Sequence, residues 1–357
     1  MTHRSGRDII TVAASAGGLL PLRRFLAGLP AGLPASVLAV LHIPATGGQA
    51  LPRILDRAGP LPAATAVDGE KLEPGRIYVA PADRHLLVAD GQVRLSRGPR
   101  QNGVRPAADP LFRSAALYGG PRTVAVVLSG TLDDAALGSA TVERHGGVVV
   151  VQDPAEAAYP GMPASALVAT RHARALPVDQ LAGLVVRLVT EEAAPGTGRT
   201  GTGRTGTGRD PDLANDIGVL LNERSEGNVL DRPYSGFICP DCGGPLYSSD
   251  RDTAATYDCV VGHSWSPESL LEGQAVEVER AMWLAVRSLD ERARLTGRLA
   301  EEAQQRGRKI SARRFREAAN EACQAADRIR EVAAGLTAAG HELDGPSGDG
   351  RDGPSGR

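Results

Sequence analysis

Along residues 8–190 the apolar positions fall into short, nearly continuous runs, separated by stretches in which they recur three and four apart. The runs occupy 8–13, 36–41, 76–80, 123–128 and 147–151. Because they are continuous rather than alternating, they predict strands buried on both faces, as in a parallel sheet. Helical spacing predicts helices over 19–29, 109–118, a stretch around 137–144 and 177–190. Strand alternating with helix predicts an α/β domain, a doubly wound and mostly parallel sheet.

The pattern changes after residue 190. Residues 191–211 are dominated by Thr, Gly and Arg in repetition, a composition that cannot bury a core and predicts a flexible linker. A compact segment rich in Cys and His follows within 212–266, and residues 267–340 are rich in Ala, Glu and Arg. Ser266, Pro267 and Glu268 form a helix start: an N-cap serine, proline in the first turn, then an acid. Leu271, Val278, Met282, Ala285 and Leu289 recur on one helical face. A break near 306–309 predicts two helices packed as a hairpin. The tail, 341–357, is rich in Gly, Pro and Asp and is expected to be disordered.

Composition narrows the class. Hydrophobic residues make up 42% of the 357 and aromatics only 3%, so the core must be built from Ala, Val and Leu. The formal charge is −2, which leaves no electrostatic footprint for nucleic acid or an anionic membrane surface. No run reaches the roughly 18 apolar residues of a membrane span, so no membrane insertion is expected. The opening MTHRSGRDIITVAASAGG imitates a secretory signal, but its apolar run is short and flows into a glycine turn and a helix. Four cysteines are too few for a disulfide framework, and a reducing, cytoplasmic location is expected.

Three residues attract chemistry. Ser15 sits in DIITVAASAGGLLPLRRFL, a strand, a turn of small residues and a helix. A nucleophilic hydroxyl needs such a sharp, uncrowded bend, with unpaired helix N–H groups behind it. A phosphate-binding glycine turn or a plain connection would read the same way. His42 ends the second strand in VLAVLHIPA, and Asp134 lies in VVLSGTLDDAALG after the fourth. Lone histidines are more often structural, and loop acids are more often helix caps. Together, all three fall just beyond the carboxyl ends of parallel strands, where open α/β sheets place their sites. Serine, base and acid on one edge make the triad constellation.

Cys239, Cys242, Cys259 and His263 form a second constellation, CPDCG followed by a C-x3-H pair. Three thiolates and an imidazole make a closed tetrahedral set, which predicts one structural zinc and no catalytic role for it. A C-x-x-C redox pair would leave Cys259 and His263 without a purpose, and buried unligated cysteines remain the other reading. Cys323 lies in the helical region and reads as a small core residue.

Six motifs in order now bear on the class: AASAGG at 13–18, LHIP at 41–44, DGEKLEPGRIYVAPADRHLLV at 68–88, RPAADPLFRSAA at 105–116, LSGTLDDAALG at 128–138 and YPGMPASA at 159–166. In these, residues 8–190 resemble the catalytic domain of the chemotaxis protein-glutamate methylesterase family. The resemblance implies a methylesterase-type fold with Ser15 as nucleophile, His42 as general base and Asp134 as orienting acid. It also implies a backbone N–H near Thr131 in the oxyanion hole, Arg105 as a substrate holder or loop brace, and His85 as structural. Asp133 falls where the family commonly has asparagine. Ala13, Ala16 and Ala135 depart from the family pattern, and an alanine forced to positive φ would strain the loop.

The implied activity is hydrolysis of glutamate methyl esters on a methylated protein, a chemoreceptor cytoplasmic domain, with glutamine deamidation as a side activity. The implied regulation lacks the phospho-receiver domain of the family's best-known members. The zinc-ribbon segment and its helices resemble the extension of some stand-alone members, and the helical hairpin is a candidate surface for a partner or a second copy. Two other classes stay open at this point: a catalytically weak relative acting as a binding scaffold, and a zinc-ribbon regulator of nucleic acid, which charge and aromatic content disfavour.

Overall fold

The structure, a computed structural model, describes residues 6–44, 50–190, 210–221, 229–251 and 254–343. The expected linker falls outside the described residues from 191 to 209, as does the expected tail from 344 onward. Two compact units emerge, Met1–Leu271 and Glu272–Arg357.

The first unit opens with β1 (Ile9–Ala14), α1 (Leu19–Ala27), β2 (Ser36–Leu41), α2 (Leu51–Asp56), β3 (Ala63–Thr65) and β4 (Ile77–Val79). A hairpin, β5 (His85–Ala89) and β6 (Gln92–Ser96), leads to α3 (Ala108–Gly119). Then come β7 (Thr123–Val127), α4 (Ala136–Arg144), β8 (Val148–Gln152), α5 (Gly161–Ala169), β9 (Arg174–Leu176) and α6 (Val178–Thr190). The seven-stranded sheet has the order β3-β4-β2-β1-β7-β8-β9, and its pairings are parallel. All five expected strands are present, as β1, β2, β4, β7 and β8.

Side-chain alternation along β1 divides the core. Ile10, Val12 and Ala14 pack with Leu22 and Phe25 of α1 and Leu181 and Val185 of α6. Ile9 and Ala13 face Leu111, Phe112 and Ala115 of α3 on the opposite side. Burial on both faces explains the continuous apolar runs. Asp90 and Gly91 turn the β5–β6 hairpin with φ of 49° and 75°, the left-handed pair that a two-residue hairpin needs.

Next, α7 (Pro211–Leu220) carries Asp210 as its N-cap, accepting from the amides of Asp212 and Leu213 at 3.1 and 3.2 Å. Leu213, Ile217 and Leu220 bury against Leu87. An antiparallel four-stranded sheet follows: β10 (Tyr234–Ile238), β11 (Pro245–Arg251), β12 (Ala254–Cys259) and β13 (Ser264–Trp265). Its own core is small, comprising Cys239, Leu246, Cys259, Trp265 and Leu270.

The second unit is built from α8 (Pro267–Gln305), from Glu272 onward, and α9 (Lys309–Leu343). The break expected near 306–309 occurs there, with Gly307 at φ 71°. The buried seam runs through Val286, Ala293 and Ala300 on α8 and Ala312, Ala326 and Ala333 on α9. Seven-residue spacing of alanines lets two helices approach closely. Leu271 and Val278, expected on the apolar face, are exposed. Among the described residues no helix is long and apolar enough to cross a membrane.

His85 is fully buried at the start of β5. Its Nε2 lies 3.0 Å from the Pro99 carbonyl, and its Nδ1 accepts the Ala107 N–H at 3.3 Å. It therefore staples both ends of the loop that leads into α3. Burial, first, holds its pKa down to about 4 from 6.5. Between those values the unfolded chain takes up a proton that the folded one refuses. Stability from this group is complete above about pH 6.5 and is lost as pH falls toward 4. His85→Gln keeps a donor and an acceptor without the charge. Urea midpoints of the two proteins should therefore converge on acidification from pH 7 to 5, and a constant difference would remove His85 from the acid response.

Candidate active site

Ser15 follows β1 without a gap. Its N–H donates to the Ser129 carbonyl at 2.9 Å, and Gly18 N–H returns to the Ser15 carbonyl at 2.9 Å, closing the turn. Space dictates the small residues. Gly17 has φ 66°, and a Cβ there would meet Ala158 and Tyr159 at 2.9 Å; a Cβ on Gly18 would meet Ala14 and the Ser129 carbonyl at 2.8 Å. Gly130 faces Ser15 from the loop after β7, where a Cβ would fall 2.8 Å from that of Ser15 and 2.1 Å from the Met162 sulfur.

Strand register brings the three candidate residues together. Ala14 pairs with Leu41, and His42 N–H donates to the Ala14 carbonyl at 3.1 Å, so His42 is carried beside Ser15. On the other flank, Leu128 N–H donates to the Ala13 carbonyl at 2.9 Å, bringing in the loop after β7. His42 Nδ1 lies 2.9 Å from Ser15 Oγ, and its Nε2 lies 2.7 Å from Asp134 Oδ2. The three residues form one continuous relay.

Asp134 is buried at the N-terminus of α3. Its Oδ2 accepts the Ala108 N–H at 2.6 Å and its Oδ1 the Asp109 N–H at 3.1 Å. Burial alone would raise its pKa, but the His42 hydrogen bond and charge, with the two amides, outweigh burial and hold the carboxyl below the usual range. Its neighbours are driven the opposite way. Burial, reinforced by the Asp134 charge, pushes Asp109 well up. Burial pushes Asp133 to about 6 against the hydrogen bonds of Ser266 and Ser269, each 2.8 Å from its Oδ1.

Of the other expected residues, Thr131 lies in the loop after β7. Among the described residues its backbone N–H and that of Ala16 meet no acceptor. Arg105 is engaged: Nε and Nη2 reach Asp83 Oδ1 at 3.0 and 2.6 Å, and Nη1 reaches the Arg97 and Gly98 carbonyls at 3.2 and 2.8 Å. A cleft of about 370 Å³ is bordered by Ser15, Gly17, Leu20, Arg23 and His42. A second, of about 360 Å³, runs from His42 past Pro44 to Asp83 and Arg105.

The CheB methylesterase family model matches residues 10–185. These residues are a CheB methylesterase domain. The chain is 48% identical over 160 residues to protein-glutamate methylesterase/protein-glutamine glutaminase 3 of Anaeromyxobacter dehalogenans, covering 44% of this chain and 47% of that protein. It is 40% identical over 179 residues to protein-glutamate methylesterase/protein-glutamine glutaminase 2 of Caulobacter vibrioides, covering 49% and 52%. The crystal structure of the Thermotoga maritima CheB methylesterase catalytic domain aligns over 51% of this chain and 98% of its own, at 31% identity and a TM-score of 0.48. The chain spans about half the length of the curated relatives it matches.

Within the methylesterase domain, only one of the three departing alanines is strained. Ala135 has φ 83°, whereas Ala13 lies in β1 and Ala16 is not at positive φ. A left-handed alanine costs about 1–2 kcal/mol, and Leu132 nearby, at φ 57°, shares the feature. Several site residues went unread in the sequence. Ser129 Oγ accepts the Tyr159 N–H at 3.0 Å and donates to the Ala16 carbonyl at 2.9 Å, bracing the turn at Ser15. Gln152 Oε1 accepts the Ser129 N–H at 2.9 Å. Asn102 Nδ2 lies 3.4 Å from Asp109 Oδ2.

The four metal-type ligands also converge. Their ligand atoms all lie within 4.8 Å of one another, so the cluster could hold a metal ion. The Cys239 thiol has its pKa held down to about 3, chiefly by hydrogen bonding with Cys259, with His263 also contributing. The Trp265 indole N–H is buried and meets no hydrogen-bond partner among the described residues.

Gly130→Ala should cost about 1–3 kcal/mol through overpacking and displace Ser15. Urea unfolding measures the first effect, and labelling of Ser15 by a fluorophosphonate measures the second. Wild-type behaviour in both would show that the contact between the two loops has slack.

Proposed function

We propose that this chain hydrolyses glutamate methyl esters on a protein substrate to glutamate and methanol, and deamidates glutamine by the same acyl chemistry. The observation that carries the reading is the unbroken Ser15–His42–Asp134 relay within a CheB methylesterase domain. With its ring proton on Nε2, donated to Asp134, His42 presents the Nδ1 lone pair to the Ser15 hydroxyl. Ser15 Oγ attacks the ester carbonyl as its proton passes to Nδ1. Asp134, kept ionised, stabilises the imidazolium. The tetrahedral oxyanion is assigned to the N–H groups of Ala16 and Thr131, close to the N-terminus of α1. His42 then protonates departing methanol. Water activated at Nδ1 adds to the glutamyl ester, and its collapse releases glutamate and restores Ser15.

The names of the relatives support a glutamate-methylated protein as the substrate, and the resemblance to the chemotaxis methylesterases favours a chemoreceptor among such proteins. The guanidinium contacts of Arg105 favour its role as a loop brace over that of a substrate holder. The strain at Ala135 favours a second reading, a weakly active member that works as a binding scaffold. The exposed Trp283, Leu284, Val332 and Leu336 would be where a partner or second copy meets the helical hairpin. Reduced thiolates accord with a cytoplasmic location.

The metal proposed for Cys239, Cys242, Cys259 and His263 is zinc. Tetrahedral zinc, with bonds of about 2.3 Å to sulfur and 2.0 Å to nitrogen, sets sulfurs about 3.8 Å apart and nitrogen about 3.5 Å from sulfur. Cys242 and Cys259 are 3.8 Å apart, and His263 Nδ1 lies 3.7 and 3.4 Å from Cys239 and Cys259. Four protein ligands leave no place for a reacting water, so zinc would supply a cross-link and take no part in acyl transfer.

Methanol release from a glutamate-methylated receptor domain tests the enzyme reading. Ser15→Ala should abolish release. Asp134→Asn should lower it by on the order of 10⁴, because the amide favours the wrong His42 tautomer. Wild-type protein that is folded and metal-loaded but releases no methanol would move the assignment to the scaffold.

A further inference from the structure

The segment from His263 to Ser269 joins two sites that chemistry alone would keep apart. At one end, His263 belongs to the metal-ligand cluster. Two residues on, Trp265 is buried beside that cluster and covers Gly103, where a Cβ would meet its ring at 2.9 Å. The Ser264 carbonyl accepts the Asn102 N–H at 2.8 Å, laying β13 along the loop before α3. At the other end, Ser266 and Ser269 donate to Asp133, the residue adjoining Asp134.

A second route runs beside the first. Asn102 Oδ1 accepts the Ser266 N–H at 2.9 Å, and Asn102 Nδ2 reaches Asp109. Asp109 in turn supplies one of the two amides that hold Asp134. Both routes therefore converge on the orienting acid from behind, away from His42. Next to these bonds lies a cavity of about 410 Å³, bordered by Asp133, Leu137, Val168, Ser266 and Glu268. The junction is thus held by polar ties more than by packed apolar side chains.

The metal segment buries few apolar side chains of its own. Five buried residues form its core, and small units of this kind usually require a metal. Burial of Asp133, moreover, is tolerable only while hydroxyls meet its carboxylate.

We propose that the metal-binding segment props the catalytic acid. Metal held by Cys239, Cys242, Cys259 and His263 fixes Ser266 and Ser269 on Asp133, and through Asp133 and the Asn102–Asp109 path it fixes Asp134 behind His42. Asp133, Asn102, Ser266 and Ser269 are positioning residues in this scheme. The effect on turnover rests on the esterase reading above, whereas the positioning itself does not.

The test uses the full chain, with metal content followed by native mass spectrometry. In the metal-loaded Ser266→Ala/Ser269→Ala protein, kcat for methanol release should fall on the order of tenfold to a hundredfold, with KM within about twofold of wild type. Asp133→Ala should fall likewise. Asp133→Asn, whose carbonyl oxygen can still accept both hydroxyls, should retain most of the wild-type kcat. Chelating the metal from wild type should reproduce the loss, and chelation of the double variant should add little, since both act on one path.

Hydrogen exchange supplies a readout that needs no turnover. Removing the metal should deprotect peptides covering 106–112 and 129–138 and leave those of β1 and β8 unchanged. Unaltered exchange in both peptides, or a double variant with wild-type kcat, would overturn the prop while leaving the esterase intact. Coupled exchange in a wild type that releases no methanol would overturn the esterase reading and uphold the prop.

Discussion

The site turns on one buried charge. Asp134 is 3% exposed, and an unpaired carboxylate in such a place costs several kcal/mol. Two amides at the start of α3 and the His42 ring offset that cost, with the positive end of the helix dipole behind them. These donors exist only because α3 begins at Ala108. That start depends on the preceding loop, which His85 staples at both ends and Arg105 pins to Asp83. The adjacent acids are driven toward neutrality by the same burial. The carboxyl that meets His42 is thereby set apart from its neighbours, held low while theirs are pushed up, a separation that environment alone can impose on like groups.

The sheet does the remaining placement. With β1 flanked by β2 and β7, the three carboxyl ends present serine, histidine and acid in adjacent positions without long excursions of chain. The hydrogen-bond ladder continues one residue past the β1–β2 pair to set His42, so backbone register determines its distance from Ser15. Close approach is what then selects composition. Gly17, Gly18 and Gly130 stand where any Cβ would strike a neighbour, and Met162 and Tyr159 fill the space that remains. The left-handed Ala135 and Leu132 store strain in the acid loop, a feature that clusters at functional sites.

How much of this is legible in the sequence depends on whether the signal is local. The five inner strands are readable because burial on both faces makes their apolar runs continuous. The edge strands β3 and β9, three residues each with the sequences AAT and RAL, carry no such pattern. The proposed triad residues are individually weak signals, and only their common sheet edge and the family motifs raise them. Ser129, Gln152, Asn102 and Asp109 were out of reach, because each works by bonding backbone that the fold brings from elsewhere. The hairpin seam was legible only in part: Met282, Ala285 and Leu289 are half-buried beside Val286, whereas Leu271 and Val278 are exposed. Val286, Ala293 and Ala300 pack inward because alanines let helices close up, while the bulkier Leu271 and Val278 that suggested the stripe point to solvent.

Two energy scales meet at the junction behind Asp134. Structural zinc supplies on the order of 10–16 kcal/mol to small finger folds, and a metal bound at the proposed site would by that measure be enough to order the cysteine segment. The segment holds Asp133 through two hydrogen bonds and Asn102, in the loop before α3, through two more, which together sum to roughly 3–6 kcal/mol where a charged acceptor is included. That is small beside the apolar burial that holds the seven-stranded sheet, so cutting the grip leaves the esterase domain folded. It is nevertheless comparable with the barrier changes that separate a well-aligned relay from a loose one, since each 1.4 kcal/mol is about tenfold in rate. A contact of this strength adjusts the geometry of Asp134 without deciding whether the domain exists, which is the range in which an appended module can govern a site it does not enter.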